Sequence, residues 1–161
     1  MIVSCYETLE GNMIKRDKVQ VLFICTGNSA RSQMAEGLLR KKAGDMADVY
    51  SAGTEPAEDV HALAKRMMTE NGIDPSSQYP KSVSIYLRKK LNIIVTTCDG
   101  ARENCPFFPG NAKRLHWGLS DPAAVEGNEE TRLTAFRKTF AEISERVSDL
   151  VDLIQEIRNN S

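Results

Sequence analysis

The run Val19-Gln20-Val21-Leu22-Phe23-Ile24, followed without a break by Cys25-Thr26-Gly27-Asn28-Ser29-Ala30-Arg31-Ser32, constrains this chain more than any other stretch. Its first part is apolar or β-branched except at Gln20, the pattern of a strand buried on both faces of a parallel sheet. Strand cannot continue into the second part, because small and turn-forming residues fill Thr26 to Ala30. From Ser32 onward, Gln33-Met34-Ala35-Glu36-Gly37-Leu38-Leu39-Arg40 sets helix formers and apolar groups at helical spacing, and Gly44-Asp45 ends that helix. A strand, a tight loop and a helix start in immediate succession turn backbone N–H groups inward and make a concave anion site.

Cys25 opens this loop and Arg31 closes it. The N–H groups and the guanidinium each favour thiolate over thiol. They would equally hold a tetrahedral oxyanion, with the planar fork of Arg31 on two of its oxygens. Cys25 therefore reads as a nucleophile facing a phosphate-like substrate, and Thr26, Gly27, Asn28, Ser29, Ala30, Arg31 and Ser32 as the oxyanion-binding set. The plainer alternative is a buried structural cysteine at a strand end. A Cys-x5-Arg match alone would not exclude it; the placement between strand and helix with a Gly-Asn-Ser interior favours the nucleophile.

The chain of 161 residues is one ordinary domain in length. Residues 1–17 have no clear period and read as an extension of uncertain structure, with no role expected for Cys5; residues 18–161 form the single domain. Lys and Arg total 21 against 22 acids, a net charge of −1, so no general field draws in nucleic acid or an anionic membrane. The longest apolar runs, Val19 to Cys25 and Leu91 to Val95, are too short to cross a bilayer. The N-terminus lacks the basic start and apolar core of a secretory signal, which leaves a cytoplasmic protein as the expectation and a monomer as the default. Four cysteines, at 5, 25, 98 and 105, are too few and too uneven for a disulfide scaffold.

Beyond the first helix, Asp48 to Gly53 reads as a second strand and 57–71 as a helix with Val60, Leu63, Ala64, Met67 and Met68 as its core stripe. His61 beside the stripe reads as exposed. A loop to Pro80 and a short helix near 83–90 lead to a third buried strand, 91–97, which like the first ends at a cysteine. After the segment 98–106, residues 113–117 give a fourth strand and Gly118 to Pro122 a loop. The last helix, about 129–158, carries Phe136, Phe140, Ile143, Val147, Leu150, Ile154 and Ile157 at alternating spacings of four and three; packing on the sheet accounts for this better than a coiled-coil seam. Strands alternating with helices imply right-handed parallel units, hence an α/β three-layer sandwich on a four-stranded parallel sheet. Ligands in such sheets sit beyond the carboxyl ends of the strands, where Cys25, Cys98 and Asp121 can share one cleft.

Cys98 and Cys105 are seven residues apart. On a helix they would share a face yet stand about 10.5 Å apart along the axis, whereas a disulfide needs Cα atoms roughly 4.4 to 6.8 Å apart. If the pair ever bridges, the segment must unwind or loop, and Gly100, Pro106, Pro109 and Gly110 suit a marginal fold. Zinc is disfavoured because the Cys-x2-Cys spacing is missing and the chain has two histidines; no metal and no cofactor are expected. Asp121 in Ser-Asp-Pro is either an ordinary turn aspartate or the acid that a cysteine attacking an oxyanion needs to protonate the departing oxygen.

Cys25 to Glu36, Val49-Tyr-Ser-Ala-Gly53, Val95-Thr-Thr-Cys98 with Cys105-Pro106, and His116-Trp-Gly-Leu-Ser-Asp-Pro122 together resemble the thioredoxin-coupled arsenate reductases built on the low-molecular-weight tyrosine phosphatase fold. The resemblance spans about residues 18–158. It implies an arsenic-detoxifying enzyme with catalytic Cys25, Arg31, Cys98, Cys105 and Asp121. Cys25 would attack arsenate with Asp121 assisting departure of an oxygen. Cys98 would then attack the Cys25 sulfur and release arsenite, and Cys105 would take over the disulfide for reduction by thioredoxin. The resemblance also implies that Ser32 hydrogen-bonds the Cys25 thiolate and that Asn28 fixes the loop.

Two departures stand out. Ala30 replaces a cysteine that many members carry outside the relay. Members that hold potassium near the loop use an aspartate that falls at about Lys81 here, although Asn28, Glu36 and Ser51 match; Lys81 is expected to stand in for the ion and make activity insensitive to potassium. The alternative enzyme is a low-molecular-weight protein tyrosine phosphatase, which shares the loop but needs neither Cys98 nor Cys105. The Ala-Ala-Val after Pro122 lacks the aromatics that flank a phosphotyrosine slot. An oxyanion-binding module without catalysis would likewise not need the resolving thiols.

Overall fold

The computed structural model describes residues 6–9 and 12–161, and side chains from residue 16 on; Cys5 lies outside the described residues. Two short strands, β1 (Tyr6–Leu9) and β2 (Asn12–Lys15), pair antiparallel in the stretch where the sequence shows no period. The main sheet consists of β3 (Val19–Cys25), β4 (Ala47–Gly53), β5 (Ile93–Thr96) and β6 (Lys113–His116), all parallel, in the order β4-β3-β5-β6. β3 is central, as its unbroken apolar run requires. Val21 and Phe23 point to one face, and Leu22 and Ile24 to the other.

Helices α1 (Arg31–Ala43), α2 (Ala62–Glu70) and α4 (Glu129–Asn159) cover the first face. The predicted stripe of α4 is buried from Phe136 to Ile154, with Ile157 packed at its margin, and it lies against α1, α2 and β3 rather than in a coiled-coil seam. At roughly 1.5 to 3 kcal/mol for each large apolar side chain, that stripe is a main source of stability. The opposite face is closed by Val83, Leu91, Ala101 and Phe108 around the short helix α3 (Asp99–Asn104). Among the described residues, no helix is long and apolar enough to cross a membrane.

Two expected helices are shorter than the sequence suggests. The segment 57–61 is not helical, because Thr54, Glu55, Ala57 and His61 give their N–H groups to the carbonyls of Cys25, Thr26, Gly27 and Ser29 at 2.8 to 3.1 Å. A helix begun at 57 would return His61 N to Ala57 O, and that donor is committed to Ser29 O. Downstream, the expected helix 83–90 is one 3-10 turn at Val83–Tyr86 followed by turns.

The chain leaves β3 through α1 to β4 on one side and later returns to β5 on the other, so the carboxyl end of β3 is the point where strand order reverses. Cys25 sits there, paired in register with Gly53.

Candidate active site

The loop after β3 is shaped from behind. The carbonyls of Cys25, Thr26, Gly27 and Ser29 all point to the strap 54–61. In a trans peptide the next N–H points the opposite way, so the N–H groups of Thr26, Gly27, Asn28 and Ala30 face into the loop. One is seen in place, with Asn28 N donating to Cys25 Sγ at 3.0 Å. At the N-cap of α1, Ala30 provides no side-chain acceptor, and no acid occupies the first turn, so the helix start leaves its donors and positive dipole end to the loop. The strap approaches so closely that a Cβ on Gly53 would lie 2.6 Å from Thr26 O and 3.1 Å from Asn28 N.

A buried polar chain holds the loop from within. Glu36 is a carboxylate paired with Arg40 at 2.8 Å, and Oε2 accepts from Ser51 Oγ at 2.9 Å and Gln78 Nε2 at 3.1 Å. Since Ser51 gives its proton to Glu36, it accepts from Asn28 Nδ2 at 2.9 Å, and the second proton of that amide goes to Ser32 Oγ at 2.8 Å. The hydroxyl proton of Ser32 is thereby left for Cys25 Sγ, 2.9 Å away. Asn28 Oδ1 accepts from Lys81 N at 2.9 Å, which fixes the orientation of the amide. Asn28 also carries the one positive φ among the described non-glycine residues, 49°. Its side-chain bonds hold a conformation that costs an ordinary residue about 1 to 2 kcal/mol.

Arg31 spans the mouth of the loop. Its Nη1 donates to Leu119 O at 3.0 Å and its Nη2 lies 3.9 Å from Asp121 Oδ2, bringing the loop 118–122 to the loop of Cys25. Asp121 in turn accepts from Ala123 N at 2.9 Å and caps the 3-10 turn Pro122–Ala124. Trp117 underpins this approach, its ring 5.4 Å from that of Phe23.

Cys98 and Cys105 are the two caps of α3. Cys98 Sγ accepts from Ala101 N at 3.3 Å and lies 3.5 Å from Thr26 Oγ1, on the residue after Cys25. Cys25 and Cys98 are buried, Cys105 is half-buried, and all three are free thiols. Burial pushes the Cys105 thiol up, and Arg114, with Nη1 3.9 Å from its sulfur, works against that shift.

The structure thus gathers Cys25, the loop 26–32 and Cys98 around one concavity, with Asp121 at its rim and Cys105 at the far end of α3. Sequence reasoning missed several contributors. Gln33 is fully buried and binds Asn28 O and Tyr79 O, each at 3.0 Å, and Gln78 binds Gln33 and Glu36. A glutamine between Ser32 and Met34, in a helix whose exposed residues are confined to Arg40, Lys41 and Lys42 of its last turn, was the available signal. His61 is half-buried rather than exposed: its Nδ1 caps α2 by accepting from Leu63 N at 3.1 Å, and its ring stacks on Phe136 at 4.8 Å. Burial, together with Arg132, lowers its pKa.

A family model described as low molecular weight phosphotyrosine protein phosphatase matches residues 20–160. An arsenate reductase of Halalkalibacterium halodurans is 43% identical over 136 residues, which cover 84% of this chain and 97% of that protein. Among solved structures, a thioredoxin-dependent arsenate reductase of Corynebacterium glutamicum aligns with a TM-score of 0.69 at 32% identity, over 86% of this chain; the chain spans 62% of that structure's length. A low molecular weight protein tyrosine phosphatase from T. tengcongensis aligns with a TM-score of 0.68 at 27% identity, covering 84% of this chain and 99% of that one.

Proposed function

The chain belongs to the low molecular weight phosphotyrosine protein phosphatase family, and from that premise we propose that it is a cytoplasmic arsenate reductase, working in arsenic detoxification by a three-cysteine relay that thioredoxin regenerates. The observation that carries this reading is the second buried thiol beside the loop, Cys98 Sγ at 3.5 Å from Thr26 Oγ1. Phosphate-ester hydrolysis has no use for it.

In this reading the inward N–H groups and Arg31 hold arsenate against Cys25. The Cys25 thiolate, steadied by Ser32 and Asn28 N, attacks arsenic, and one oxygen leaves as water with a proton from Asp121. The Cys98 thiolate then attacks Cys25 Sγ. The sulfur–arsenic bond breaks with its electron pair staying on arsenic, so arsenate is reduced to arsenite as two thiols become the Cys25–Cys98 disulfide. Cys105 attacks Cys98 Sγ next, Cys25 departs as thiolate, and the Cys98–Cys105 disulfide passes its oxidation to the dithiol of thioredoxin. Arsenate and arsenite are the ligands and thioredoxin the partner.

The residues do not suit a bound potassium ion. The Glu36 carboxylate is already paired with Arg40 and bonded by Ser51 and Gln78. The Lys81 ammonium donates to Tyr79 O at 2.9 Å; burial lowers its pKa, and the charge of Glu36 partly restores it.

Thioredoxin-dependent oxidation of NADPH on adding arsenate tests the relay. Wild type should turn over, whereas Cys105→Ser should release at most about one arsenite per enzyme and trap a Cys25–Cys98 disulfide. Steady turnover without Cys105 would defeat the relay. No turnover together with strong aryl-phosphate hydrolysis would favour the phosphatase.

A further inference from the structure

α3 is tied to the sheet by a histidine for which the relay has no part. His116 ends β6; its Nδ1 lies 2.7 Å from Thr96 Oγ1 at the end of β5, and its Nε2 lies 2.8 Å from Asp99 Oδ1 on the first residue of α3. A carboxylate only accepts, so in the neutral ring Nε2 carries the proton to Asp99 and Nδ1 accepts from the Thr96 hydroxyl, whose other acceptor, Leu115 O, is farther away at 3.4 Å. The ring is therefore a strut from sheet to helix, with one end on a threonine that is 7% exposed.

α3 has six residues, far too few to persist on its own propensity, so its contacts hold it wound. Cys98 and Cys105 stand at its two ends, and in that state they cannot bond: a disulfide needs Cα atoms roughly 4.4 to 6.8 Å apart, whereas seven helical steps rise about 10.5 Å. The dithiol is thus the wound form and the disulfide the unwound one. The carboxyl of Asp99 meets His116 through the helical course of the chain from Cys98 to Ala101. A contact made only in the wound form stabilises the dithiol.

We propose that His116 is a positioning residue that acts through Asp99 to keep α3 wound, and so sets the reduction potential of the Cys98–Cys105 pair. This rests on the relay reading, in which that pair is the disulfide presented to the reductant. Removing the strut makes the disulfide easier to form and harder to reduce.

The test uses the full chain carrying Cys25→Ser, which prevents the competing Cys25–Cys98 bond. The protein is equilibrated with glutathione and its disulfide: one glutathione disulfide accepts two electrons and, with the two thiol protons of Cys98 and Cys105, gives two glutathiones. After alkylation, trypsin cuts at Arg102 between the two cysteines, and mass spectrometry measures the bridged fraction. His116→Phe is expected to shift the equilibrium about tenfold toward disulfide, the scale of one hydrogen bond to a charged group, or about 30 mV more negative for a two-electron couple. His116→Gln, which keeps a donor toward Asp99, should stay within roughly threefold of the parent. An unchanged equilibrium in folded His116→Phe, or equal shifts with Phe and Gln, overturns the proposal. Should His116→Phe not fold by circular dichroism, His116→Ala takes its place and leaves Asp99 to Arg102 and the helix start; a shift toward disulfide supports the strut and no shift overturns it. A parent that never bridges Cys98 to Cys105 defeats the relay itself, and the strut's role with it.

Discussion

Asn28 offers the sharpest test of how the loop is held. In Asn28→Ala, Lys81 N loses its acceptor, and Ser32 and Ser51 each lose a donor, all at buried or partly buried positions. An orphaned buried donor costs about 1 to 3 kcal/mol and each of the two other lost hydrogen bonds about 1 kcal/mol, so the variant should be roughly 3 to 5 kcal/mol less stable. Asn28→Gly loses the same contacts but relieves the positive φ of 49°. Glycine adopts that conformation freely, so it should be more stable than the alanine variant by about 1 kcal/mol. Urea denaturation under reducing conditions measures both. Alkylation of Cys25 should slow in each, because Ser32, no longer receiving the amide proton, can turn its own away from the sulfur. Alanine outranking glycine, or both lying within about 1 kcal/mol of wild type, would show that the side chain neither holds the backbone nor organises the chain from Glu36 to Cys25.

Gly53→Ala should push Thr26 and the strap apart, since its Cβ would meet Thr26 O at 2.6 Å; a loss of about 1 to 3 kcal/mol is expected in urea melts, with weaker oxyanion binding by calorimetry. His61 should make stability depend on pH. Its folded pKa lies below the ordinary 6.5, so the unfolded state binds the proton first, and the cap's contribution, full above that value, is lost as pH falls through the folded pKa. His61→Asn, which caps without titrating there, should remove that part of the acid destabilisation in melts taken on either side of that value. Replacing sodium by potassium should leave arsenate turnover unchanged, and a several-fold increase would show that Lys81 does not stand in for the ion.

Much of this molecule is readable from its residues because the determining interactions are local. The apolar run of β3 and the turn residues after it carry their structure in a few consecutive positions, and the stripe of α4 carries its own in one regular period. The misreadings share a different cause. Residues 57–61 look helical, yet the N–H groups of Ala57 and His61 serve a loop some thirty positions earlier, and no local pattern reports that demand. His61 looks like a surface histidine for the same reason, since the partner that gives it work, Phe136, comes from another element. At the site, the loop shows its chemistry through composition, while Gln33 and Gln78 show theirs only once the fold brings them to Asn28 and Glu36.

In the proposed relay Cys98 would use one sulfur for two purposes that exclude each other. As the N-cap of α3 it accepts from Ala101 N; an oxygen cap is worth about 1 kcal/mol, and sulfur, a weaker acceptor, contributes less. Bonding to Cys25 would withdraw that sulfur from the cap, so the first disulfide would itself help to loosen the helix that carries Cys105. Completion of the second step would then favour release of the third thiol without any outside signal.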